Sequence, residues 1–261
     1  MDRLARDAGR LIREIRLAGC ETITKKDGSP VTVADQRAEA LILAGLRVLA
    51  PETPIVSEEA TEAGAKVQCG DRFFLVDPLD GTRGFTEGGA EYTVNIALIE
   101  DGAPVLGVVY APATGALYLG GPDGALSARC DKSTAKPTAP LRRIQVTADP
   151  ADLRGIKSRT SDGVEPFLKR AGAKAVIAAS SSVKFCMIAA GEADLYPRFG
   201  PVSEWDAAAG DAVLRAAGGG VMNLKGAPLV YCGQTGEAAL VRGFVAYGGA
   251  KAEAAARAAL A

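Results

Sequence analysis

Apolar residues recur along this chain at two periods, and the change from one to the other marks its elements. Leu4, Ala8, Leu11, Ile12, Ile15 and Ala18 fall at helical spacing, which predicts an amphipathic helix over residues 3–18. After the polar turn Lys25-Lys26-Asp27-Gly28-Ser29-Pro30, a second apolar face (Ala34, Ala38, Leu41, Ile42, Gly45, Leu49) predicts a helix from about Val33 to Leu49. Thr32 and Asp35 give its start the pattern of a capping box, and Pro51 ends it. A short apolar run, Pro54 to Val56, leads into Ser57-Glu58-Glu59. Phe73 to Val76 reads as a compact buried strand that Asp77-Pro78-Leu79-Asp80-Gly81-Thr82 is expected to break sharply. Tyr92 to Glu100, Pro104 to Ala111 and Ala116 to Gly120 read as antiparallel strands, turned at Asp101-Gly102 and Thr114-Gly115.

Residues 121–142 are polar and contain Pro137 and Pro140, which predicts a long loop or hairpin and then a linker near residue 140. The chain is therefore expected to divide into an N-terminal α+β domain, 1–140, and a C-terminal α/β domain, 141–261. In the second part Ile144–Thr147, Ala175–Ala179 and Ala193–Pro197 are strand-like. Residues 163–171, 182–190 and 205–217 are helical, and the Ala-rich tail 250–261 predicts a terminal helix. The order, α+β and then α/β, predicts layered sheets and helices without an internal repeat.

Composition then narrows the chemistry. With 261 residues, 48% hydrophobic and 23% charged, the chain has the make-up of a globular protein large enough for a sizeable core. A net charge of −1 without a basic block gives no nucleic-acid footprint. No stretch approaches the roughly 20 apolar residues of a membrane span, and the charged N-terminal segment does not resemble a signal peptide. The five cysteines, Cys20, Cys69, Cys130, Cys186 and Cys232, are dispersed, which argues against a disulfide framework and for small core residues in a reducing cytoplasm. There is no histidine. Histidine-based triads, phosphohistidine and histidine-ligated metals are thereby excluded, and neither a P-loop nor a GxSxG elbow is present.

Acid–base and metal chemistry must then rest on carboxylates, hydroxyls and lysines. Asp77 and Asp80 lie where an apolar strand meets a turn, Glu58-Glu59 follows another apolar run, and Asp35 and Asp206 each follow a hydroxyl residue by three positions. Each has an ordinary reading: a strand–turn aspartate, a solvated loop pair, or two capping boxes built on Thr32 and Ser203. Together they place acids at element ends, where side chains can converge on one cleft. Converged carboxylates repel and take up protons unless a cation joins them, and an oxygen-only site selects a hard ion such as magnesium.

Three segments in order, Glu58-Glu59, Asp77-Pro78-Leu79-Asp80-Gly81-Thr82 and Trp205-Asp206-Ala207-Ala208-Ala209-Gly210, resemble the inositol monophosphatase superfamily from Thr32 to about Gly220. The resemblance implies a layered αβαβα sandwich of the sugar-phosphatase type and a lithium-sensitive, magnesium-dependent phosphatase. It implies that Glu58, Asp77, the Leu79 carbonyl, Asp80 and Asp206 hold about two or three magnesium ions. Thr82, backed by Asp35, is implied to orient or activate the attacking water, without a phosphoenzyme. Glu58, Asp80, Gly81, Thr82 and Asp206 are also expected to face the substrate phosphate. Trp205 is expected to pack beneath the helix that carries Asp206.

A narrower resemblance comes from Ser180-Ser181-Ser182-Val183-Lys184-Phe185-Cys186 and Ala193-Asp194-Leu195-Tyr196-Pro197-Arg198-Phe199-Gly200, which are similar to segments of the bacterial 3′(2′),5′-bisphosphate nucleotidases of sulfate assimilation. It implies a small nucleotide substrate, adenosine 3′,5′-bisphosphate, converted to AMP and phosphate, with 3′-phosphoadenylyl sulfate as a further candidate. Lys184 matches the lysine that holds the nucleotide in this branch, and Ser180 a nearby backbone contact. Ser158-Arg159-Thr160-Ser161 resembles a nucleotide-contacting loop in which Ser161 stands where relatives often carry histidine. Lys25 or Lys26 is a candidate neighbour of the metal cluster. The alternatives are an inositol monophosphatase, a phosphatase for NADP or another small phosphate, and a non-catalytic metal- or nucleotide-binding regulator. A cytoplasmic monomer or homodimer with no membrane span, at most peripherally membrane-associated, completes the expectation.

Overall fold

The computed structural model describes residues 1–19, 22–24, 30–159, 163–233 and 240–261. Lys25, Lys26, Ser161 and Cys20 lie outside the described residues. The chain opens with α1 (Asp2–Leu17), β1 (Thr22–Thr24), β2 (Pro30–Thr32), α2 (Val33–Leu49), β3 (Ile55–Ser57), α3 (Glu58–Glu62), β4 (Arg72–Asp80) and α4 (Thr82–Thr86). A meander follows: β5 (Thr93–Glu100), β6 (Ala103–Ala111), β7 (Ala116–Gly121), β8 (Gly124–Arg129) and β9 (Arg142–Ile144). The remainder is β10 (Leu153–Ser158), α5 (Glu165–Arg170), β11 (Ala173–Ala179), α6 (Val183–Ala189), β12 (Leu195–Arg198), β13 (Val202–Ser203), α7 (Glu204–Ala216), β14 (Gly220–Asn223), β15 (Leu240–Val241), β16 (Phe244–Tyr247) and α8 (Gly249–Leu260).

Two sheets organise these elements. One has seven strands in the order β3-β4-β5-β6-β7-β8-β9, and the other has five in the order β11-β10-β12-β16-β14. The Phe-Phe-Leu-Val run of β4 is continuously apolar because both faces of the first sheet are covered. Phe74 and Val76 pack with Ala8 and Ile12 of α1 and Ile42 and Leu46 of α2. Phe73 and Leu75 point the other way, into a cluster with Phe185 of α6 and Ala208 and Val213 of α7. That cluster also takes Ile156, Tyr196 and Phe244 from the inner face of the second sheet. The outer face of the second sheet, through Leu195, Met222 and Val245, packs with Phe167 and Leu168 of α5 and Ala252 and Ala256 of α8. The layers are therefore α1/α2, seven-stranded sheet, α6/α7, five-stranded sheet, α5/α8, an αβαβα sandwich. Among the described residues, no helix is long and apolar enough to cross a membrane.

The central helix lies unusually close to the first sheet. A Cβ placed on Gly107 would meet the Ala209 carbonyl oxygen at 2.5 Å, and one on Gly120 would meet Val213 Cα at 2.5 Å. Small residues on both partners set this separation, and with it the depth at which the first turn of α7 presents Asp206.

Several elements differ from expectation. β4 is not broken at Asp77 but continues to Asp80, and the interruption is absorbed in register. Asp77 pairs with Asn95 and Asp80 with Thr93, a bulge that accommodates Pro78. Glu58 and Glu59 start a short helix rather than sitting in a loop. The expected strand at Ile144–Thr147 is β9, ending at Ile144. Strands β1, β2, β10, β13, β14, β15 and β16 have no counterpart among the expected elements. Cys130 and Cys186 are buried as expected, but Cys232 is exposed, its amide and Sγ directed at Glu204 Oε1 at 2.9 and 3.2 Å.

Candidate active site

The site begins with the bulge in β4. Leu79 N donates to Asp77 Oδ1 at 2.9 Å, a local turn that fixes the Asp77 side chain after Pro78 has removed one backbone donor. Gly81 then takes a left-handed conformation, φ 93°, with its Cα against the Glu91 carbonyl; a Cβ would come within 2.9 Å of that oxygen. This turn starts α4, whose five residues offer phosphate a few backbone amides rather than the dipole of a long helix.

Both capping boxes anticipated from the sequence form, and both deliver an acid to this place. In α2, Asp35 Oδ2 accepts from Thr32 N at 2.8 Å and Thr32 Oγ1 at 2.6 Å, while Asp35 Oδ1 lies 3.0 Å from Thr82 Oγ1. In α7, Asp206 Oδ2 accepts from Ser203 N at 3.1 Å. Structural cap and candidate site residue are here the same side chain. Burial raises the Asp35 carboxyl above its ordinary range, opposed by its hydrogen bonds from Thr32 and Thr82.

Thr82 Oγ1 is within 2.9 Å of the Leu79 carbonyl as well as 3.0 Å of Asp35. The hydroxyl has one hydrogen. Given to Asp35, it leaves the Leu79 oxygen unengaged by Thr82 and leaves Thr82 Oγ1 as an acceptor.

Glu58, Asp77, Asp80 and Asp206 converge. Asp77 is buried, and its carboxyl is pushed well above the ordinary range by burial first, then by the negative charges of Glu58, Asp80 and Asp206. Asp206 is pushed up to about 7, again by burial first and then by Asp80, with the Ser203 amide opposing. Asp77 hydrogen-bonds to both Glu58 and Asp206. Without a cation, the group therefore retains protons at a pH where isolated carboxylates have lost them. Four carboxylates with a backbone carbonyl alongside form an oxygen-only donor set, suited to a hard divalent ion such as magnesium. Glu58 also belongs to a second acidic group on α3, in which one oxygen each of Glu58, Glu59 and Glu62 lies within 4.8 Å of the others.

Two further residues shape the site. Glu39, one helical turn after Asp35, sends Oε2 and Oε1 to the Glu59 and Ala60 amides, each at 2.9 Å, and so fixes the start of α3 beside Glu58. Ser182 joins the two halves of the cup. Its amide and hydroxyl reach Asp80 Oδ2 at 2.7 and 3.1 Å, its Oγ lies 2.8 Å from the Asp206 carbonyl, and Asn95 Nδ2 donates to it at 3.0 Å. Capping geometry betrayed Asp35 and Asp206 in the sequence, whereas Ser182 and Glu39 act across the tertiary fold and left no local signal.

Of the expected nucleotide contacts, Ser158 is buried at the end of β10, and Ser180 lies in the loop before α6. Lys184 is not a solvated helix lysine. It is 4% exposed, donates to the Ser181 carbonyl at 2.6 Å, and lies 5.1 Å from the Tyr196 ring centre. Trp205, in the first turn of α7 beside Asp206, is buried in the core between the sheets. Cys186, fully buried in apolar surroundings, has its thiol pushed well above the ordinary range by burial, which leaves little thiolate for redox chemistry.

Residues 2–259 match the sequence profile of the Inositol monophosphatase family. The chain belongs to the inositol monophosphatase family. Within it, the chain is 43% identical over 231 residues to the 3′(2′),5′-bisphosphate nucleotidase CysQ of Salmonella typhimurium, covering 87% of this chain and 91% of that protein. The Escherichia coli K12 protein of the same name is 41% identical over the same shares. Among solved structures, CysQ from Bacteroides thetaiotaomicron superposes with a TM-score of 0.74 at 31% identity, covering 94% of each chain. An inositol monophosphatase of Thermotoga maritima superposes with a TM-score of 0.76 at 24% identity, covering 99% of this chain and 94% of its own, and speaks to the fold alone. The αβαβα layers expected from the resemblance are those of this family.

Proposed function

We propose that this inositol monophosphatase family member is a phosphomonoesterase that removes the 3′-phosphate of adenosine 3′,5′-bisphosphate, giving AMP and phosphate, with 3′-phosphoadenylyl sulfate as a second substrate. The observation that carries the chemistry is the carboxylate cup of Glu58, Asp77, Asp80 and Asp206 with the Thr82–Asp35 pair beside it. The nucleotide assignment is supported by 43% identity to a protein named as a 3′(2′),5′-bisphosphate nucleotidase.

Glu58, Asp77, the Leu79 carbonyl, Asp80 and Asp206 would hold magnesium, which when bound supplies positive charge for the phosphate oxygens and acidity for water. The chain's own groups do the rest. Thr82 Oγ1, its hydrogen directed to Asp35 Oδ1, presents a lone pair that accepts from the attacking water and sets its line of approach. Asp35 is itself held by Thr32, so the pair is oriented before substrate arrives, which is where positioning contributes to rate. The Gly81 and Thr82 amides face the phosphate oxygens. Water attacks phosphorus, the bond to the 3′-oxygen breaks, and no side chain becomes phosphorylated. Ser158, Ser180 and the loop shaped by Lys184 receive the nucleoside.

Initial rates of phosphate release from adenosine 3′,5′-bisphosphate, 3′-phosphoadenylyl sulfate, inositol 1-phosphate and NADP test the assignment. The nucleotide is expected to lead. Comparable or faster release from inositol 1-phosphate rejects it.

A further inference from the structure

Glu91 has no place in the chemistry described so far, yet three segments of the site meet on it. Its backbone carbonyl packs against Gly81, the turn residue of the acidic loop. Its carboxylate takes a bidentate pair from Arg159, with Nε to Oε2 at 2.8 Å and Nη2 to Oε1 at 2.7 Å. The same carboxylate is hydrogen-bonded by Ser180. Arg159 follows β10 in one half of the chain, Ser180 precedes α6, and Glu91 precedes β5 in the other half. One carboxylate thus ties the acidic loop to two loops of the second sheet.

The Ser180 loop has reason to need this tie. Ser181 is one of three non-glycine residues with positive φ among the described residues, at 55°. Such a backbone persists only where its surroundings hold it, and costs on the order of 1 kcal/mol or more. Here each serine has its own fastening: Ser180 on Glu91, the Ser181 carbonyl on Lys184, and Ser182 on Asp80. Two of the three fastenings serve residues already in the site, and Glu91 supplies the third.

The pair with Arg159 is exposed, 56% for the arginine side chain and 38% for the glutamate. Exposed ion pairs add little to stability, so folding does not explain a bidentate geometry that spans the two halves. Guanidinium has five N–H donors, and Glu91 uses two of them. The others are suited to a second anion, and bidentate fixing on one edge orients the opposite one.

We infer that Glu91 is a specificity-determining positioning residue, which fixes Arg159 against the Ser180 loop so that the remaining guanidinium donors receive the non-scissile anionic group of a bisphosphorylated substrate. The inference rests on the nucleotide reading above. It predicts discrimination between adenosine 3′,5′-bisphosphate and adenosine 3′-monophosphate, which differ only in that group.

Steady-state kinetics on both substrates with Glu91→Gln and Arg159→Met test it. Each variant is expected to raise KM for the bisphosphate about tenfold, the range of one charged hydrogen bond, with a rise at least fivefold smaller for the monophosphate. The double variant is expected to add less than about twofold to either single one, because both remove the same fixture. Glu91→Asp, which keeps the charge, is expected to recover part of the loss. Equal losses on both substrates, or a fall in kcat with KM unchanged, overturn the inference and leave Glu91 as scaffold. If Glu91→Gln does not fold, Arg159→Met alone decides by the same two criteria. Wild-type protein that releases no phosphate from the bisphosphate overturns the nucleotide reading together with the inference. Wild-type activity with unaltered variants overturns the inference alone.

Discussion

Thr82 Oγ1 lies 3.0 Å from Asp35 Oδ1, and the other oxygen of that carboxylate is held by the backbone and side chain of Thr32. A helix-capping box thus holds the carboxylate that meets the Thr82 hydroxyl, the group proposed to orient the attacking water. Replacing Thr82 by Ala removes the acceptor proposed to orient water, and kcat is expected to fall about 10²-fold or more. Thr82→Ser, which keeps the hydroxyl, is expected to retain most of the rate. Equal losses in the two variants in an initial-rate comparison would remove the hydroxyl from the mechanism.

Asp77 supports opposite expectations for activity and stability. It is buried among Glu58, Asp80 and Asp206, and its carboxyl is pushed well up by that burial and by their charges. Asp77→Asn is expected to lower kcat/KM about 10²-fold or more, since it removes a carboxylate proposed to hold magnesium. Without magnesium, the same change relieves a crowded buried acid, and thermal melts of the metal-free protein are expected to show an unchanged or higher Tm. A lower Tm in metal-free buffer would mean that the carboxylate stabilises the fold on its own.

The raised Asp206 fixes the sign of a pH effect in the metal-free protein. Its folded pKa, about 7, lies above the ordinary value of 3.8, so the folded state binds this proton more tightly than the unfolded chain. Its contribution to stability is fully present below about pH 4 and is lost as pH rises through about 7. Melts in chelator are expected to fall in Tm between pH 5 and pH 8, measured against Asp206→Asn to remove contributions from other groups. Saturating magnesium is expected to reduce the slope, because cation and proton compete for the same oxygens. A slope identical in wild type and Asp206→Asn contradicts this.

The close approach of α7 to the sheet has a mechanical consequence. A methyl on Gly107 would fall 2.5 Å from the Ala209 carbonyl, and the backbone there cannot move aside without shifting the helix that carries Asp206. Gly107→Ala is expected to cost about 1–3 kcal/mol in denaturant unfolding and to weaken magnesium activation as well. Destabilisation with an unchanged magnesium requirement would show that α7 absorbs the strain elsewhere.

How far the sequence revealed this protein depended on where each signal lay. α1 and α2 were legible because their apolar faces repeat at helical spacing, and the Thr32–Asp35 and Ser203–Asp206 boxes because capping is a local pattern. The acidic loop was legible as a cluster, but its backbone was not. Pro78 and Gly81 suggested a break, whereas pairing with β5 carries β4 through to Asp80 over a bulge. β10 carries no such signal, because Leu-Arg-Gly-Ile-Lys-Ser shows little periodicity. It becomes a strand through parallel pairing with β11, a glycine fitted against Leu168, and an Arg154–Asp194 ion pair that only the fold brings together. Glu39, Ser182 and Glu91 were illegible for the same reason, as their partners lie on other elements.

The central claim is that the cup of Glu58, Asp77, Asp80 and Asp206 takes up magnesium to remove one particular phosphate. Phosphorus NMR of adenosine 3′,5′-bisphosphate incubated with chelator-stripped protein, followed by added magnesium, measures both parts at once. The expected spectrum is unchanged substrate until magnesium is added, and then one equivalent of inorganic phosphate with a 5′-monophosphate as the nucleotide product. Release that proceeds in chelator, or a product that keeps its 3′-phosphate and has lost the 5′, contradicts the account.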